Sequence, residues 1–371
     1  MHFKNIYLRS FRLFLFPIAY LYGLIIKCRN YLYDRKVIEG VKFNIPVIGV
    51  GNLSVGGTGK SPMVDYLASL LKKNYPVAIL SRGYKRRTSG YVLANEKTTA
   101  IEIGDEPMQF HIKHPDVSVS VGEKRIEAIP QLLYDRPDTK VVILDDAFQH
   151  REIQAGLNII LSEYSNLYTR DFFLPTGDLR DQRSSATRSD IIVITKCPNT
   201  VTEHQRFLIL KELQPLSHQH VFFTAIKYNI PYHIVNGQTI KLSKETEVLL
   251  VCGIANPEPL TSYIHEMTST YDALFYSDHH IYSIDDLIDI LNRFERIKNE
   301  NTIILTTEKD AVRLVKFRDK LNDLPFFVIP ISVDFLFKQE NEFQEIVYSY
   351  PETFYQQTNI DLPENKADSG N

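Results

Sequence analysis

The stretch Val47 to Asp65 reads V-I-G-V-G-N-L-S-V-G-G-T-G-K-S-P-M-V-D, and it decides how the rest of the chain is read. A short apolar run, Val47 to Val50, stops at Gly51, and a glycine-rich loop follows. Gly59-Lys60-Ser61 then opens a segment with apolar residues at Met63, Leu67, Leu70 and Leu71, which is helical spacing. Strand, glycine loop, Lys-Ser and helix together make a phosphate-binding P-loop. Glycines let backbone N–H groups turn inward onto phosphate oxygens, and the helix N-terminus adds the positive end of its dipole. The loop Ser54, Val55, Gly56, Gly57, Thr58, Gly59 would wrap a nucleotide's phosphates. Lys60 would reach the β- and γ-phosphates, and the Ser61 hydroxyl would hold Mg²⁺. One departure is visible, because Ser54 stands where the usual pattern has glycine or alanine. A merely tight glycine turn would not require Lys-Ser at this place between a strand and a helix.

At 371 residues the chain exceeds the ~250–300 at which single cores stop growing, so two domains are expected. A net charge of −3 gives no global basic excess, and no nucleic-acid partner is expected. Cys28, Cys197 and Cys252 are far apart and odd in number, with neither metal-ligand spacing nor a disulfide framework, which fits a reducing compartment.

The N-terminus departs from that plain picture. Leu13 to Ile26 carries no charge, and Lys4, Arg9, Arg12, Lys27 and Arg29 flank it, with no acid before Asp34. The run is shorter than the ~20 residues that span a bilayer. No small-x-small cleavage site follows it, and secretion would carry the P-loop away from ATP. Phe11, Phe14, Phe16, Tyr20 and Tyr22 together with one-signed charge point to a helix lying in the headgroup region. Basic side chains there contribute roughly 1 kcal/mol each on an anionic leaflet.

Further along, Val77 to Leu80, Val117 to Val121, Val141 to Leu144, Leu157 to Leu161 and Asp190 to Thr195 read as strands. Helical stretches follow several of them, opened by Gly104-Asp105-Glu106-Pro107 and by Gly122 to Arg125. Such alternation predicts a parallel sheet covered on both faces. Val221 to Leu242 holds short extended pieces and the Asn236-Gly237 turn, a hairpin signal that suggests a connector. A second α/β unit is expected from Val248, with strands near Leu274, Ile303 and Phe326 and a helix over Ile284 to Ile297. The polar end, from about Gln357, reads as disordered.

Asp145-Asp146, at the end of an apolar strand, stands where a P-loop protein keeps its Mg²⁺-binding acid. Asp105-Glu106 occupies a similar loop position, where a carboxylate can orient or deprotonate an attacking hydroxyl. Asp278-His279-His280 reads, from its residues alone, as a solvated loop. Guanine specificity finds no support: no glycine follows Asp145-Asp146 at the required spacing, Thr195-Lys196-Cys197-Pro198 lacks the aspartate, and Lys309-Asp310 are adjacent.

Gly51 to Pro62, Ser81-Arg82-Gly83-Tyr84, Gly104 to Pro107, Asp145 to His150, Pro175 to Asp181 and Asp278 to His280 together resemble the tetraacyldisaccharide 4′-kinases, in order and over most of the chain. That family transfers the ATP γ-phosphate to the 4′-hydroxyl of a tetraacylated glucosamine disaccharide 1-phosphate, making lipid IVA for lipid A. The resemblance implies two α/β domains joined by a two-stranded β linker, with an N-terminal membrane-associated helix at the cytoplasmic face of the bacterial inner membrane. The expected boundaries are 1–33 for the anchor, 34–220 for the P-loop kinase domain and 221–245 for the linker. A smaller C-terminal α/β domain, 246–356, and the tail, 357–371, complete the chain. Carried over by motif, Lys60 and Ser61 bind triphosphate and Mg²⁺, and Asp145 or Asp146 completes the metal site. Asp105 becomes the catalytic carboxylate and His279 its partner, which reverses the reading of that loop from its residues alone. Glu106, Arg125, Gln149, His150 and Arg180 match further active-site positions. Two departures remain: Ala147 stands where glycine is usual, at the expense of freedom at positive φ, and Asp181 where glutamate is usual, with a shorter reach. The rival expectation is a membrane-associated P-loop ATPase acting as a switch, which has no use for Asp105 and His279.

Overall fold

The computed structural model describes residues 12–358. In chain order its main elements are α1 (Phe16–Asp34), β1 (Val47–Asn52), α2 (Lys60–Leu71), β2 (Val77–Ser81), β3 (Val92–Leu93), α3 (Asp105–Lys113), β4 (Ser118–Val121), α4 (Arg125–Asp135), β5 (Val141–Asp145), β6 (Leu157–Glu163) and β7 (Ile191–Thr195). These are followed by α5 (Glu203–Leu213), β8 (His220–Tyr228), β9 (Tyr232–His233), β10 (Glu247–Cys252), α6 (Glu258–Met267), β11 (Thr270–Phe275), α7 (Ile284–Ile297), β12 (Thr302–Thr307), α8 (Glu308–Leu314), β13 (Phe326–Ile329), β14 (Ile331–Phe335) and α9 (Glu340–Thr358). The mixed α/β class and its parallel sheets agree with the alternation in the sequence.

The chain divides into two compact units. Among the described residues the first comprises 12–98, 110–226 and 333–358, and the second 99–109 and 227–332. These units are drawn differently from the boundaries expected above. Asp105 and Glu106 belong to the second unit although they lie far upstream of it, and the chain returns to the first unit within β14. The chain leaves the first unit within β8, so the extended pieces expected to form a connector begin as a strand of the large sheet. Helix α9 runs through Thr358; the rest of the expected tail lies outside the described residues, as do Lys4, Arg9 and Phe11.

The first unit is built on a sheet ordered β14-β8-β7-β6-β1-β5-β2-β4-β3. β1 lies between β5 and β6 and runs parallel to both, with Val50 opposite Asp145 and Asn52 opposite Leu161. Every residue of β1, β2, β5 and β7 is buried, as continuous apolar runs in a sheet covered on both faces require. Leu67 and Leu71 of α2 and Ile129 and Leu132 of α4 are among the apolar residues fully buried here. Because β1, β5 and β2 run the same way, their carboxyl ends bring Asn52, Asp145 and Ser81 to one edge of the sheet. That edge is where open α/β sheets bind ligands.

Helix α1 belongs to this unit and inverts the usual pattern. Its buried residues are Ala19, Gly23 and Asn30, whereas Phe16, Ile18, Tyr20, Leu21, Leu24 and Ile25 are all more than half exposed. Small residues make the contact: a Cβ on Gly23 would lie 2.8 Å from the Phe173 ring. Polar anchors complete it. Tyr22 Oη donates to the Arg180 carbonyl at 3.1 Å, Arg29 to the Gln149 carbonyl at 2.7 Å and Asn30 Nδ2 to Asp181 at 2.8 Å. Between α1 and the segment around Phe172 and Phe173 lies an apolar groove of about 510 Å³. None of the described helices is long and apolar enough to cross a membrane.

The second unit carries a sheet ordered β11-β10-β12-β13-β9, parallel except where β9 pairs antiparallel with β13. The Asn236-Gly237 turn forms where the sequence predicts it, with Gly237 at φ +73° and His233 N–H donating to the Gln238 carbonyl at 2.7 Å. Helix α7 has the predicted bounds. Its apolar stripe, Leu287, Ile290 and Phe294, is buried, and Ser283 and Asp286 close its N-terminus as a capping box.

Candidate active site

In the first unit the loop between β1 and α2 is open and glycine-shaped. Gly56 and Gly59 sit at φ +109° and +86°, where residues with side chains are strained, and a Cβ at Gly56 or Gly57 would meet nothing within 4 Å. The loop is pinned from outside. Val55 N–H donates to the Asp178 carbonyl at 2.7 Å, and Thr195 Oγ1 to the Thr58 carbonyl at 2.8 Å. Ser54 is buried in a bridge to Leu179, so a side chain is accommodated where glycine or alanine was expected. Lys60 and Ser61 open α2, both half-buried.

Asn52 was missed in the sequence, although it closes β1 just before the loop. It is fully buried and links four groups. Its Nδ2 donates to Thr58 Oγ1 at 2.8 Å, and its Oδ1 accepts from Lys60 Nζ at 3.4 Å and from Arg180 Nη2. Its carbonyl accepts from Gln149 Nε2 at 2.5 Å. A buried amide that satisfies this many partners fixes the geometry of all of them.

The two acids at the end of β5 divide their work. Asp145 is buried and accepts from Ser81 Oγ at 2.9 Å. Asp146 stands 3.7 Å from Lys60 Nζ and accepts from Arg180 Nη1 at 3.1 Å. Burial pushes the Asp146 carboxyl up, but Lys60 and Arg180 outweigh it and hold the pKa well below the usual carboxylate range. The left-handed residue of this turn is Asp146, at φ +53°, and not Ala147. The substitution of alanine for glycine at 147 therefore carries none of the expected conformational cost. Arg125, expected near the acceptor, is fully buried at the start of α4. It donates to the carbonyls of Gly122 and Asp145, both at 3.1 Å, and so braces the turn from behind. His150 is half-buried, its pKa lowered by burial and then by the Arg125 charge. Asp181 is buried against α1 and accepts from Asn30, Ser185 and Arg188, so its carboxylate is already engaged.

The second unit holds Asp105 and His279. Gly104, at φ +93°, breaks a one-turn helix (Ala100–Ile103) and restarts the chain as α3, which places Asp105 in a first turn. Glu106 is the next residue of that turn and is half-buried. His279 Nδ1 lies 2.9 Å from Asp105 Oδ2, and His279 is itself left-handed at φ +63°. A non-glycine residue held there is strained, and such strain gathers at functional sites. Arg313, in α8, was also missed: it donates to Asp105 Oδ2 at 2.7 Å. Burial raises the Asp105 pKa, but hydrogen bonds from His279 and Arg313 and the Arg313 charge overcome it, bringing it to about 2. Among the described residues no three His, Cys, Asp or Glu side chains gather as a metal cluster.

The comparison with known proteins bears directly on this geometry. Residues 11–351 match the family model described as LpxK, tetraacyldisaccharide-1-P 4′-kinase. The chain belongs to the tetraacyldisaccharide-1-P 4′-kinase family. It is 43% identical over 334 residues to a tetraacyldisaccharide 4′-kinase of Flavobacterium johnsoniae, covering 89% of this chain and 94% of that protein. With the enzyme of the same name from Bacteroides thetaiotaomicron the identity is 40% over 350 residues, covering 91% and 92%. The fold is similar to a crystal structure of an "apo" form of LpxK from Aquifex aeolicus in complex with ATP, with a TM-score of 0.72 and 30% identity over 92% of this chain and 99% of that one. The family is that of the resemblance drawn from the sequence motifs, and its members are kinases.

Proposed function

We propose that this chain transfers the γ-phosphate of ATP to the 4′-hydroxyl of a tetraacylated glucosamine disaccharide 1-phosphate, giving lipid IVA. The observation that carries an acceptor-using kinase over an ATPase switch is the Asp105–His279 pair at 2.9 Å, held in a strained loop. A switch has no use for it. Phosphoryl transfer passes through a loose transition state, so positioning and charge neutralisation do most of the work. In this reading Ser54 to Ser61 wrap the triphosphate, Lys60 reaches the transferred phosphoryl group, and Glu106, Gln149, His150 and Arg180 bind the reactants. Arg125 acts by holding the Asp145–Asp146 turn.

Ser61 and the two aspartates form an all-oxygen donor set of the kind Mg²⁺ takes, usually with one or two carboxylates beside substrate phosphates. The low pKa of Asp146 keeps that ligand ionised. Mg²⁺ would neutralise charge developing on the phosphates. Asp105 accepts the acceptor's hydroxyl proton while the His279 Nδ1–H holds its Oδ2. A carboxylate of pKa about 2 is a weak base, which suits a loose transition state in which the proton leaves late.

The exposed apolar face of α1, with Arg12, Lys27 and Arg29 near it, supports residence on the cytoplasmic face of the bacterial inner membrane, where an acylated acceptor is found. Strands β8 and β14, where the chain passes between the units, would serve as the two-stranded linker. ATP turnover measured with and without detergent-dispersed acceptor tests the choice. Turnover that depends on the acceptor supports the kinase; hydrolysis indifferent to it supports the switch.

A further inference from the structure

We propose that Arg313 is a positioning residue for phosphoryl transfer: anchored by Asp310, it fixes the Asp105 carboxylate beside His279. The inference rests on the assignment of Asp105 as proton acceptor.

The anchor is local. Thr307 caps α8 by accepting from Asp310 N–H at 3.1 Å, and donates its hydroxyl to Asp310 Oδ2 at 2.7 Å. Gly253 N–H donates to the same oxygen at 3.0 Å, and a Cβ at Gly253 would lie 2.9 Å from Asp310 Oδ1. Asp310 is completely buried, and Arg313, one helical turn on, places Nη1 3.4 Å from it. The Arg313 side chain is itself only 5% exposed. A guanidinium this buried needs paired carboxylates, and it has two, Asp310 behind and Asp105 in front. Its position is thereby fixed by the fold of its own helix.

The proton arrangement follows from the contacts. Arg313 Nη2 lies 2.7 Å from Asp105 Oδ2 and 3.1 Å from His279 Nδ1. Lys309 Nζ lies 3.3 Å from His279 Nε2 and 3.0 Å from Asp278 Oδ1. Both cations are donors only. Arg313 and, in the Nδ1–H tautomer, His279 both donate to Asp105 Oδ2, and Lys309 then donates to Nε2. The groups facing the pair are thus Arg313, Lys309 and Asp278, with Asp310 behind Arg313.

Arg313→Met and Arg313→Lys in the full-length enzyme test this, with Asp105→Asn beside them and thermal melts to confirm folding. The expected result for R313M is a kcat at least tenfold lower, with KM for ATP and for the acceptor within about threefold of wild type. The acid limb of its kcat–pH profile moves to higher pH, because burial then raises the Asp105 pKa unopposed by the guanidinium. R313K recovers part of kcat and of the acid limb, since it keeps the charge and loses the planar fork. Wild-type kcat and acid limb in a folded R313M, with D105N inactive, would overturn the inference and leave the assignment of Asp105 standing. An active D105N would overturn that assignment instead. A loss in R313M confined to KM, or to thermal stability with the acid limb in place, also overturns the inference.

Discussion

Lys60 Nζ stands 3.7 Å from an Asp146 oxygen, and the Asn52 amide oxygen lies 3.4 Å from the same ammonium. Lys60, which the proposed function sets on the phosphates, is thereby held at the end of β1. Arg180 reaches both Asp146 and Asn52, so two cations share one amide oxygen and one carboxylate.

Removing Lys60 therefore has two effects. Lys60→Ala should lower kcat by roughly a hundredfold or more, since a charge aimed at the transferred phosphoryl group is lost. It should also weaken ATP binding, read by calorimetry, while the thermal midpoint stays within a few degrees because Arg180 still pairs with Asp146. An Asn52→Ala variant should lose turnover as well, though Asn52 touches no reacting group in this reading. If N52A matched wild type in both kcat and KM for ATP, Asn52 would not be organising the loop.

Asp181 predicts a stability effect. Its side chain is 2% exposed and pairs with Arg188 at 3.1 Å while accepting from Asn30 on α1 and from Ser185. Asp181→Ala leaves the Arg188 guanidinium and two hydrogen-bond donors unmatched, at roughly 3 kcal/mol. The apparent melting temperature should fall by several degrees, with limited proteolysis cutting near α1. An unchanged melt would show that α1 does not depend on this carboxylate.

The exposed face of α1 is tested with vesicles. Leu24→Glu with Ile25→Glu should reduce co-sedimentation with anionic phosphatidylglycerol vesicles at least tenfold, with no change in the circular dichroism of the fold. Gly23→Val attacks the opposite face, where an added Cβ alone would lie 2.8 Å from the Phe173 ring. That variant should lower the melting temperature instead. Equal vesicle binding by wild type and the double glutamate variant would remove α1 as the anchor.

Asp105 gives a pH dependence of definite sign. Its folded pKa, about 2, lies below the ordinary value, so its ionised form contributes stability that is present above the unfolded pKa near 4 and lost as pH falls toward 2. The contribution is about 2 kcal/mol at neutral pH. The difference in melting temperature between wild type and Asp105→Asn should therefore be largest at pH 6–7 and shrink steadily below pH 5. A difference that grew on acidification would reverse the sign of the shift.

How much of this was legible in the sequence depended on the range of the interactions. The P-loop, the strand-end acids and the α7 stripe were legible because each is a local pattern of glycines, charges or spacing. Asn52 was not, since its importance lies in four partners drawn from loops up to 128 residues away. Arg313 was equally hidden: it reaches Asp105 across 208 residues, and nothing in its own helix marks it. The division of the chain escaped for a similar reason. Asp105 groups with residues 227–332 and the segment after Val333 returns to the first unit, pairings that sequence adjacency cannot express. The N-terminal helix ends at Asp34, close to the expected boundary at 33, and Asp34 pairs there with Arg151 at 2.7 Å.

The most direct measurement is transfer of label from γ-³²P-ATP to a detergent-dispersed tetraacyl disaccharide 1-phosphate, followed by separation of the lipid. Wild type is run beside Lys60→Ala and Asp105→Asn. Labelled lipid from wild type, with little or none from either variant, is the predicted result. Labelled inorganic phosphate without labelled lipid, from a wild-type preparation that binds ATP, would contradict it.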